Sequence, residues 1–267
     1  MYNFEYHRPA SLEQAQKLLN EADAPSLLSG GQTLLPTLKH RLADPSDLID
    51  LKSIDGLSGI REEGGAIVIG ATTTHCTVAA SSLIAEKIPA LSHLAGNIGD
   101  QQVRHRGTIG GSVANNDPAA DYPAACLGFG ATIRTNKRHI AAEDYFVDLF
   151  ETALEDDEII LEVSFPIPEK AAYIKFPNPA SRYAMVGVMV AQTVSGVRVS
   201  VTGAGSSGVF RDSKIEADLT ASFSADAITA SGMAEEDLNS DIHASAEYRL
   251  HMIAEMARRA VTQINTS

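Results

Sequence analysis

Two short segments of the sequence place adjacent glycines beside hydroxyl side chains. Residues 29–36 read SGGQTLLP, and residues 108–112 read TIGGS. Because glycine has no Cβ, its backbone N–H can approach a ligand closely and its φ angle can be positive. Consecutive N–H groups in such turns form concave sites for anions, and nearby hydroxyls donate further hydrogen bonds. Two such segments could hold a pyrophosphate between them.

The same glycine pairs also have a simpler interpretation. A single Gly-Gly turn is more often only a turn than a phosphate site. Neither segment matches the GxxxxGK[ST] or GxGxxG pattern of the common nucleotide sites. The residue types alone therefore leave a plain turn and an anion site both open.

Other chemistry is weakly represented in the sequence. The eight histidines lack the spacing of HExxH or similar motifs, so we predict no metal site. Ser206 and Ser207 do not match the G-x-S-x-G elbow, and we predict no catalytic side chain. Cys76 and Cys126 are too few for an iron–sulfur cluster or a disulfide framework. The basic run at residues 104–106 either steers phosphates or a partner, or is a solvated turn.

Composition limits the class of protein. The chain has 267 residues, enough for two or three compact units. Its formal charge of −13 argues against a nucleic-acid-binding surface, because such surfaces cluster Lys and Arg. It has no apolar run of about 18 residues, so no membrane span is predicted. The N-terminal sequence shows no secretory signal, and we expect a cytoplasmic location.

The elements around the first glycine segment form a βαβ-like unit. A helix is predicted to begin at Ser11, with Gln14 three residues later as in a capping box. Short apolar runs at residues 26–29 and 48–51 predict buried strands. The order of strand, glycine turn, helix and strand is typical of a βαβ unit.

The second glycine segment lies in a region of weaker pattern. Residues 66–71 predict a strand, and residues 75–99 predict a helix that Pro89 interrupts. Residues 101–124 are rich in Gly, Asn, Asp and Pro and have no clear period. We therefore predict an irregular segment there, of the kind that is more often functional than idle.

The rest of the chain continues the mixed pattern of helices and strands. Strands are predicted at residues 131–135 and 159–165, and the prolines that follow mark a domain boundary at residues 166–168. A hairpin is predicted around the Ser195-Gly196 turn, and an amphipathic helix over residues 246–264.

Taken together, these motifs resemble one protein family. The segment SGGQTLLP, the helix and LIDL run that follow it, and IGDQQVRHRGTIGGSVANNDPAADYPA at residues 98–124 are similar to the medium, flavin-binding subunit of carbon monoxide dehydrogenase and its relatives. The same FAD module forms the middle portion of xanthine dehydrogenases. The resemblance extends from HRPASLEQA near the N-terminus to AEYRLHMIAEMARRAV near the C-terminus.

This resemblance implies an α+β chain with the FAD-binding fold of the vanillyl-alcohol-oxidase (PCMH) type. Two αβ units, residues 1–54 and 55–168, would hold an extended, non-covalent FAD between them. A C-terminal α+β domain, residues 169–267, would cover part of the flavin. Two departures from the family pattern, Gln32 in place of a frequent His and Ser112 in place of a frequent Asn, keep hydrogen-bonding capacity.

The resemblance also implies a set of FAD-binding residues: Leu27, Leu28, Ser29, Gly30, Gly31, Gln32, Thr33, Thr108, Gly110, Gly111, Ser112, Asn115, Asp121, Ile160 and Lys175. The first segment would donate to the pyrophosphate, and the second would form the opposing clamp. Asn115 and Asp121 would contact ribityl or ribose hydroxyls. Ile160 would contact the adenine side, and Lys175 would lie near the flavin. Tyr183 either lies near the isoalloxazine ring or packs in the core.

The function implied is electron transfer within a molybdenum hydroxylase complex. A large molybdenum-cofactor subunit would oxidise the substrate, a small subunit with two [2Fe–2S] clusters would carry the electrons, and FAD would pass them to an external acceptor. A dimer of heterotrimers is expected, and the substrate stays unassigned. Two alternatives remain open: a self-sufficient flavin-dependent reductase of the same fold, and a regulatory module without flavin.

Overall fold

A small parallel sheet with two helices begins the computed structural model, which describes residues 1–266. The strands lie in the order β1-β3-β2. These elements are β1 (Glu5–His7), α1 (Leu12–Glu21), β2 (Pro25–Leu28), α2 (Leu34–Lys39) and β3 (Asp47–Asp50). Helix α1 begins as predicted, since the Ser11 side chain accepts from the Gln14 N–H and the Gln14 side chain accepts from the Ala10 N–H.

The middle of the chain forms a second, antiparallel sheet in the order β4-β5-β10-β6-β7, together with several short helices. Its strands are β4 (Ile60–Glu63), β5 (Ala66–Gly70), β6 (Thr132–Thr135), β7 (His139–Ala141) and β10 (Ile160–Pro166). Its helices are α3 (His75–Ala80), α4 (Ser82–Lys87), α5 (Pro89–Gly96), α6 (Gln101–Arg106), α7 (Ile109–Asn115), α8 (Tyr122–Phe129) and α9 (Ala142–Tyr145). A separate two-stranded hairpin joins β8 (Phe146–Asp148) and β9 (Glu151–Thr152).

The last part of the chain is a four-stranded antiparallel meander with two helices. The elements are β11 (Lys170–Pro177), β12 (Ala184–Thr193), β13 (Gly196–Gly205), β14 (Gly208–Arg211), α10 (Ser213–Ala221) and α11 (Ala246–Thr266). The buried face of α11 packs on the sheet through residues such as Ile253 and Val261. In residues 1–266 no helix is long and apolar enough to cross a membrane.

Three clusters of buried apolar residues hold these layers together. The first joins α1 to β3 and includes Ile159 from the segment before β10. The second fills the middle sheet and its helices, but it also includes Tyr173 and Met189 from the meander. The third lies between the meander and α11. Because the second cluster crosses residue 168, the meander packs directly on the middle sheet. The predicted domain boundaries themselves stay a prediction.

The prediction of an irregular segment over residues 101–124 was wrong, because α6, α7 and the start of α8 lie there. Asp100 caps α6 by accepting from the Val103 N–H at 2.8 Å, and Thr108 caps α7 by accepting from the Gly111 N–H at 3.2 Å. Helix α8 is buried along its whole length. Helix α6 has no buried residue and α8 has no exposed one, so neither leaves an alternation of apolar and polar residues in the sequence, and the caps of α6 and α7 were the available signal.

Candidate functional site

A cavity of about 640 Å³ lies between the first sheet and the middle unit. Every residue predicted to bind the cofactor lines it, with the exception of Lys175. The cavity brings together both glycine segments, Asn115 and Asp121 from the ends of two helices, and Ile160 from the start of β10. Its volume falls within the roughly 300–1,000 Å³ that small-molecule and cofactor pockets span.

The first glycine segment leaves its backbone donors free. Among residues 1–266, no protein acceptor pairs with the N–H groups of the four consecutive residues Gly30, Gly31, Gln32 and Thr33. Gly31 has φ +73°, the left-handed conformation that glycine tolerates best. All four residues line the cavity. Adjacent free N–H groups of this kind attract an anion.

The second glycine segment differs, because its N–H groups are already used inside the fold. Gly110 N–H donates to the Ala71 carbonyl at 2.9 Å, and Gly111 N–H donates to the Thr108 hydroxyl. A Cβ on Gly110 would lie 2.6 Å from the Ala71 Cβ. The glycine pair here permits close packing of α7 on β5. It does not provide consecutive backbone N–H groups that are free to bind a ligand. The Ser112 side chain remains at the cavity wall.

The two glycine segments touch each other. The Ser29 and Thr108 hydroxyls share a hydrogen bond of 2.8 Å. A Cβ on Gly30 would overlap the Arg106 carbonyl oxygen and lie 2.7 Å from the Gly107 Cα. Both faces of the cavity are therefore fixed relative to one another by direct backbone and side-chain contacts.

A buried ion pair lies beside the cavity. Asp121 lines the cavity and is buried, and its carboxylate accepts from the Tyr173 hydroxyl at 2.5 Å. Lys175 Nζ lies 3.0 Å from Asp121 Oδ1 and donates to the Asn97 carbonyl. Burial raises the pKa of Asp121, and the Lys175 ammonium opposes that rise. Lys175 thus reaches the site through Asp121 and does not line the cavity itself.

His75 is a cavity residue that the sequence reasoning did not identify. Its ring is buried, its Nδ1 has no partner among residues 1–266, and its centroid lies 5.3 Å from that of Tyr122. Burial, aided by nearby Arg104, lowers the pKa of His75 to about 4. A Cβ on Gly107 would lie 2.6 Å from His75 Nε2, so the ring supports the backbone just before Thr108. The TTTH run directly after a strand was the available signal.

The segment between β11 and β12 forms part of the rim. Asn178 Oδ1 accepts from the N–H groups of Ala180 and Ser181, and Arg182 has φ +63°. Tyr183 lines the cavity and is 46% exposed. Of the two roles considered for Tyr183, core packing is therefore wrong, and a position at the cavity is found.

At the other end of the cavity, near Ile160, a carboxylate is held by an arginine and a threonine. The Glu158 carboxylate accepts from the Thr135 hydroxyl at 2.6 Å and from Arg138 Nε and Nη2, both at 3.0 Å. The Arg138 guanidinium lowers the pKa of Glu158 to about 2. Glu158 and Ile160 both line the cavity. Glu158 was also missed, because it lies in an acidic run that looks like a solvated loop.

The site is therefore suited to binding more than to acid–base catalysis. It combines free backbone donors at one segment, hydroxyl side chains at another, and apolar residues such as Leu27, Leu28 and Ile160. No group of three or more His, Cys, Asp or Glu side chains within residues 1–266 is placed to hold a metal ion.

Comparison with known proteins identifies relatives that are FAD-binding subunits of oxidoreductases. Residues 2–168 match the family described as the FAD binding domain in molybdopterin dehydrogenase. The chain is 34% identical to the carbon monoxide dehydrogenase medium chain of Hydrogenophaga pseudoflava, covering 97% of this chain and 96% of that one. It is 33% identical to the nicotine 6-hydroxylase medium subunit of Paenarthrobacter nicotinovorans, with the same coverage. Among solved structures, the reconstituted CO dehydrogenase from Oligotropha carboxidovorans matches with a TM-score of 0.91 at 33% identity, covering 99% of this chain and 98% of that one.

Proposed function

The chain belongs to the family of FAD-binding domains in molybdopterin dehydrogenases, and from this membership we propose that it is an electron-transfer subunit. It receives electrons from the [2Fe–2S] clusters of a small partner subunit and passes them through FAD to an external acceptor. A large molybdenum-cofactor subunit oxidises the substrate.

Membership in the family confirms three expectations from the sequence. The fold is the α+β FAD-binding fold of the PCMH-like class, the cofactor is FAD, and the chain is an oxidoreductase subunit of the molybdenum hydroxylase type. The coarse prediction of partner subunits is also confirmed, because the relatives are medium chains of multi-subunit enzymes.

One observation supports the cofactor assignment in this chain: the four consecutive residues Gly30 to Thr33 line the cavity, and within residues 1–266 their N–H groups have no protein acceptor. An FAD pyrophosphate bears negative charge and accepts hydrogen bonds from such donors. Thr108, whose hydroxyl is hydrogen-bonded to that of Ser29, and Ser112 add hydroxyl groups to the residues that line the cavity. The residues present therefore fit the dinucleotide.

The remaining predicted residues are given these roles in the proposal. Leu27 and Leu28 form an apolar part of the cavity wall, while Gly110 allows α7 to lie close to Ala71. Asp121 and Asn115 offer acceptors and donors to ribityl or ribose hydroxyls. Ile160 packs on the adenine side. Lys175 acts through Asp121, whose carboxylate it holds in a fixed position.

The division of labour follows from the chemistry of these groups. When bound, FAD supplies the redox chemistry, while the protein supplies binding, orientation and electrostatics. Residues Gly30 to Thr33 would hold the charged part of the dinucleotide, and Tyr183 lies at the rim of the cavity. His75, with its pKa lowered to about 4, stays neutral at neutral pH and adds no charge to the cavity. No side chain of this chain needs to move a proton.

The assembly is part of the proposal. We expect a dimer of heterotrimers, each with this chain, a small [2Fe–2S] subunit and a large molybdenum subunit. A quinone, oxygen or NAD is the external acceptor. The substrate is chosen in the large subunit.

The test is to purify the chain alone and with its two partners, and to record flavin absorbance during substrate addition. The isolated chain should hold FAD and remain oxidised when substrate is added. The assembled complex should show flavin bleaching after substrate is added under anaerobic conditions. Complete substrate turnover by the isolated chain would instead support the self-sufficient reductase, and a chain that takes up no FAD would support the flavin-free module.

A further inference from the structure

The segment between α7 and α8 is bonded to the C-terminal meander through its backbone. The Pro118 carbonyl accepts from the Gly203 N–H at 2.8 Å, and the Ala119 carbonyl accepts from the Ala184 N–H at 3.4 Å. Gly203 lies in β13 and Ala184 begins β12, so both central strands of the meander contact this segment. These strands lie beyond residues 2–168, which match the FAD-binding family.

Thr202, in β13, adds a side-chain contact to the same segment. Thr202 is fully buried, and its hydroxyl lies 2.7 Å from the Ala120 carbonyl oxygen and 3.0 Å from the Pro118 carbonyl oxygen. The hydroxyl has one proton, so it donates to one of these carbonyls at a time or is shared between them. Ala120 directly precedes Asp121, and both residues line the cavity. Thr202 therefore fixes the backbone beside Asp121.

Thr202 belongs to a row of residues that crosses three strands of the meander. Lys175 in β11 pairs with Gly187 in β12, and Gly187 pairs with Thr202 in β13. At one end of the row Lys175 binds the Asp121 carboxylate, and at the other end Thr202 binds the carbonyl of the preceding residue. A Cβ on Gly187 would overlap the Tyr173 hydroxyl and lie 2.9 Å from Thr202 Cγ2. The glycine in the middle strand leaves room for both of these side chains.

A second hydroxyl on β13 contacts a different part of the chain. Ser200 is also fully buried, and its hydroxyl donates to the Ala124 carbonyl at 2.6 Å. Ala124 lies in α8 and is not one of the cavity-lining residues within 1–266. Ser200 and Thr202 therefore both join β13 to the middle unit, but only Thr202 contacts a residue that lines the cavity.

We propose that Thr202 is a positioning residue for the FAD site, and that it holds Asp121 at the cavity through the Ala120 carbonyl. This inference rests on the proposed function, which assigns Asp121 to ribityl or ribose hydroxyls. A carboxylate accepts from such hydroxyls only when its oxygens lie at hydrogen-bond distance and point toward them. Lys175 and Tyr173 fix the side chain of Asp121, while Thr202 fixes its backbone. The meander is thereby a working part of the FAD site.

The test compares Thr202→Val, Thr202→Ser and Ser200→Ala in the full chain. Valine has nearly the shape of threonine but lacks the hydroxyl, whereas serine keeps the hydroxyl. Ser200→Ala is the matched control, because it also removes a fully buried hydroxyl of β13 that donates to a backbone carbonyl. The FAD dissociation constant is measured by titrating FAD into the FAD-free chain, and stability is measured by urea unfolding without FAD.

We expect Thr202→Val to raise the FAD dissociation constant by about fivefold, which corresponds to about 1 kcal/mol, the usual contribution of one hydrogen bond. Thr202→Ser should keep the natural affinity. Ser200→Ala should lower the urea midpoint about as much as Thr202→Val does, yet leave the FAD dissociation constant close to the natural value. An equal rise of that constant in Ser200→Ala and Thr202→Val would overturn the proposal, and so would an unchanged constant in Thr202→Val.

A double-mutant cycle asks whether Thr202 acts through Asp121. In the Asp121→Asn background, Thr202→Val should cause little further loss of FAD affinity, because the carboxylate that Thr202 positions is absent. The same fold-loss in both backgrounds would indicate a general structural role and would count against the proposal. If the natural chain takes up no FAD, the proposed function itself fails; if it takes up FAD and the variants behave alike, only the positioning role fails.

Discussion

The Ser29 hydroxyl lies 2.8 Å from the Thr108 hydroxyl, although the two residues are 79 positions apart in the chain. One belongs to the parallel unit and the other caps α7 in the middle unit. This single hydrogen bond therefore joins the two glycine segments across the wall of the cavity. A substitution at either residue therefore tests FAD binding and the packing of the two units together.

Replacing Thr108 by alanine should weaken both functions of its side chain. Thr108→Ala removes the bond to Ser29 and the cap on Gly111, and loss of such a cap costs about 1 kcal/mol. We expect lower thermal stability and an FAD dissociation constant raised by about fivefold, because one lost hydrogen bond costs about 1 kcal/mol and about 1.4 kcal/mol corresponds to a factor of ten. Equilibrium titration with FAD and a melting curve measure both. Thr108→Ser keeps the hydroxyl and should remain close to the natural chain; an equal loss in both variants would contradict the assigned role.

Gly30→Ala tests whether the first segment needs glycine for packing. The new Cβ would overlap the Arg106 carbonyl and lie 2.7 Å from the Gly107 Cα, and backbone atoms cannot move aside cheaply. We expect a loss of stability of about 1–3 kcal/mol in urea unfolding and little retained FAD. Gly96→Ala is the matched control, because the nearest atom to its new Cβ is 3.9 Å away and the residue ends α5. Normal FAD content in Gly30→Ala would show that FAD binding does not need the close approach of Gly30 to Arg106 and Gly107.

The Asp121 and Lys175 pair should behave as a unit. Both side chains are buried, so Lys175→Met would leave the carboxylate without its cation, at a cost of about 3–5 kcal/mol. The double variant Asp121→Asn/Lys175→Met should recover much of that stability, and a double-mutant cycle in urea measures the coupling. FAD affinity should stay low in the double variant, because the Asp121 carboxylate is absent. Additive single effects on stability would argue against a coupled pair.

The sequence was sufficient for the elements with strong local signals. The capping box at Ser11, the strands on either side of the first glycine segment, and the hairpin at Ser195-Gly196 follow from caps, apolar runs and turn residues. Strands β11 and β14 were missed. Strand β11 contains two alanines and two lysines, and β14 has only four residues, so neither has a strong local strand signal. Each is a strand because it pairs with the adjacent strand of the meander, β12 or β13.

The site shows the same limit more sharply. The glycine segments were visible, and the resemblance supplied their ligand, but the sequence could not show that only the first leaves its N–H groups free. That difference arises because Ala71, directly after β5, accepts from the Gly110 N–H, and the Thr108 hydroxyl accepts from the Gly111 N–H. His75 and Glu158 were missed for a related reason: their positions at the cavity depend on which elements pack around them, and not on their sequence neighbours.

His75 should make the stability of the chain depend on pH in a defined window. Its pKa is about 4 in the folded chain and 6.5 for an ordinary histidine, so between these values the unfolded chain binds the extra proton. Stability is therefore complete above about pH 6.5 and falls as the pH drops toward about 4. The full effect is about 3 kcal/mol, because one pKa unit corresponds to roughly 1.4 kcal/mol.

Urea unfolding between pH 7.5 and pH 4.5, on the natural chain and on His75→Asn, measures this contribution. Asparagine does not titrate in this range, so the slope of unfolding free energy against pH should be smaller in the variant, whatever its absolute stability. The stabilisation from Glu158, whose pKa is lowered to about 2, is present above about pH 4.5 and is lost only at lower pH; because Glu158 stays in both chains, it does not affect the comparison. Equal slopes in the two chains would mean that burial does not keep His75 neutral. The ring beside Gly107 would then not be an uncharged part of the cavity wall.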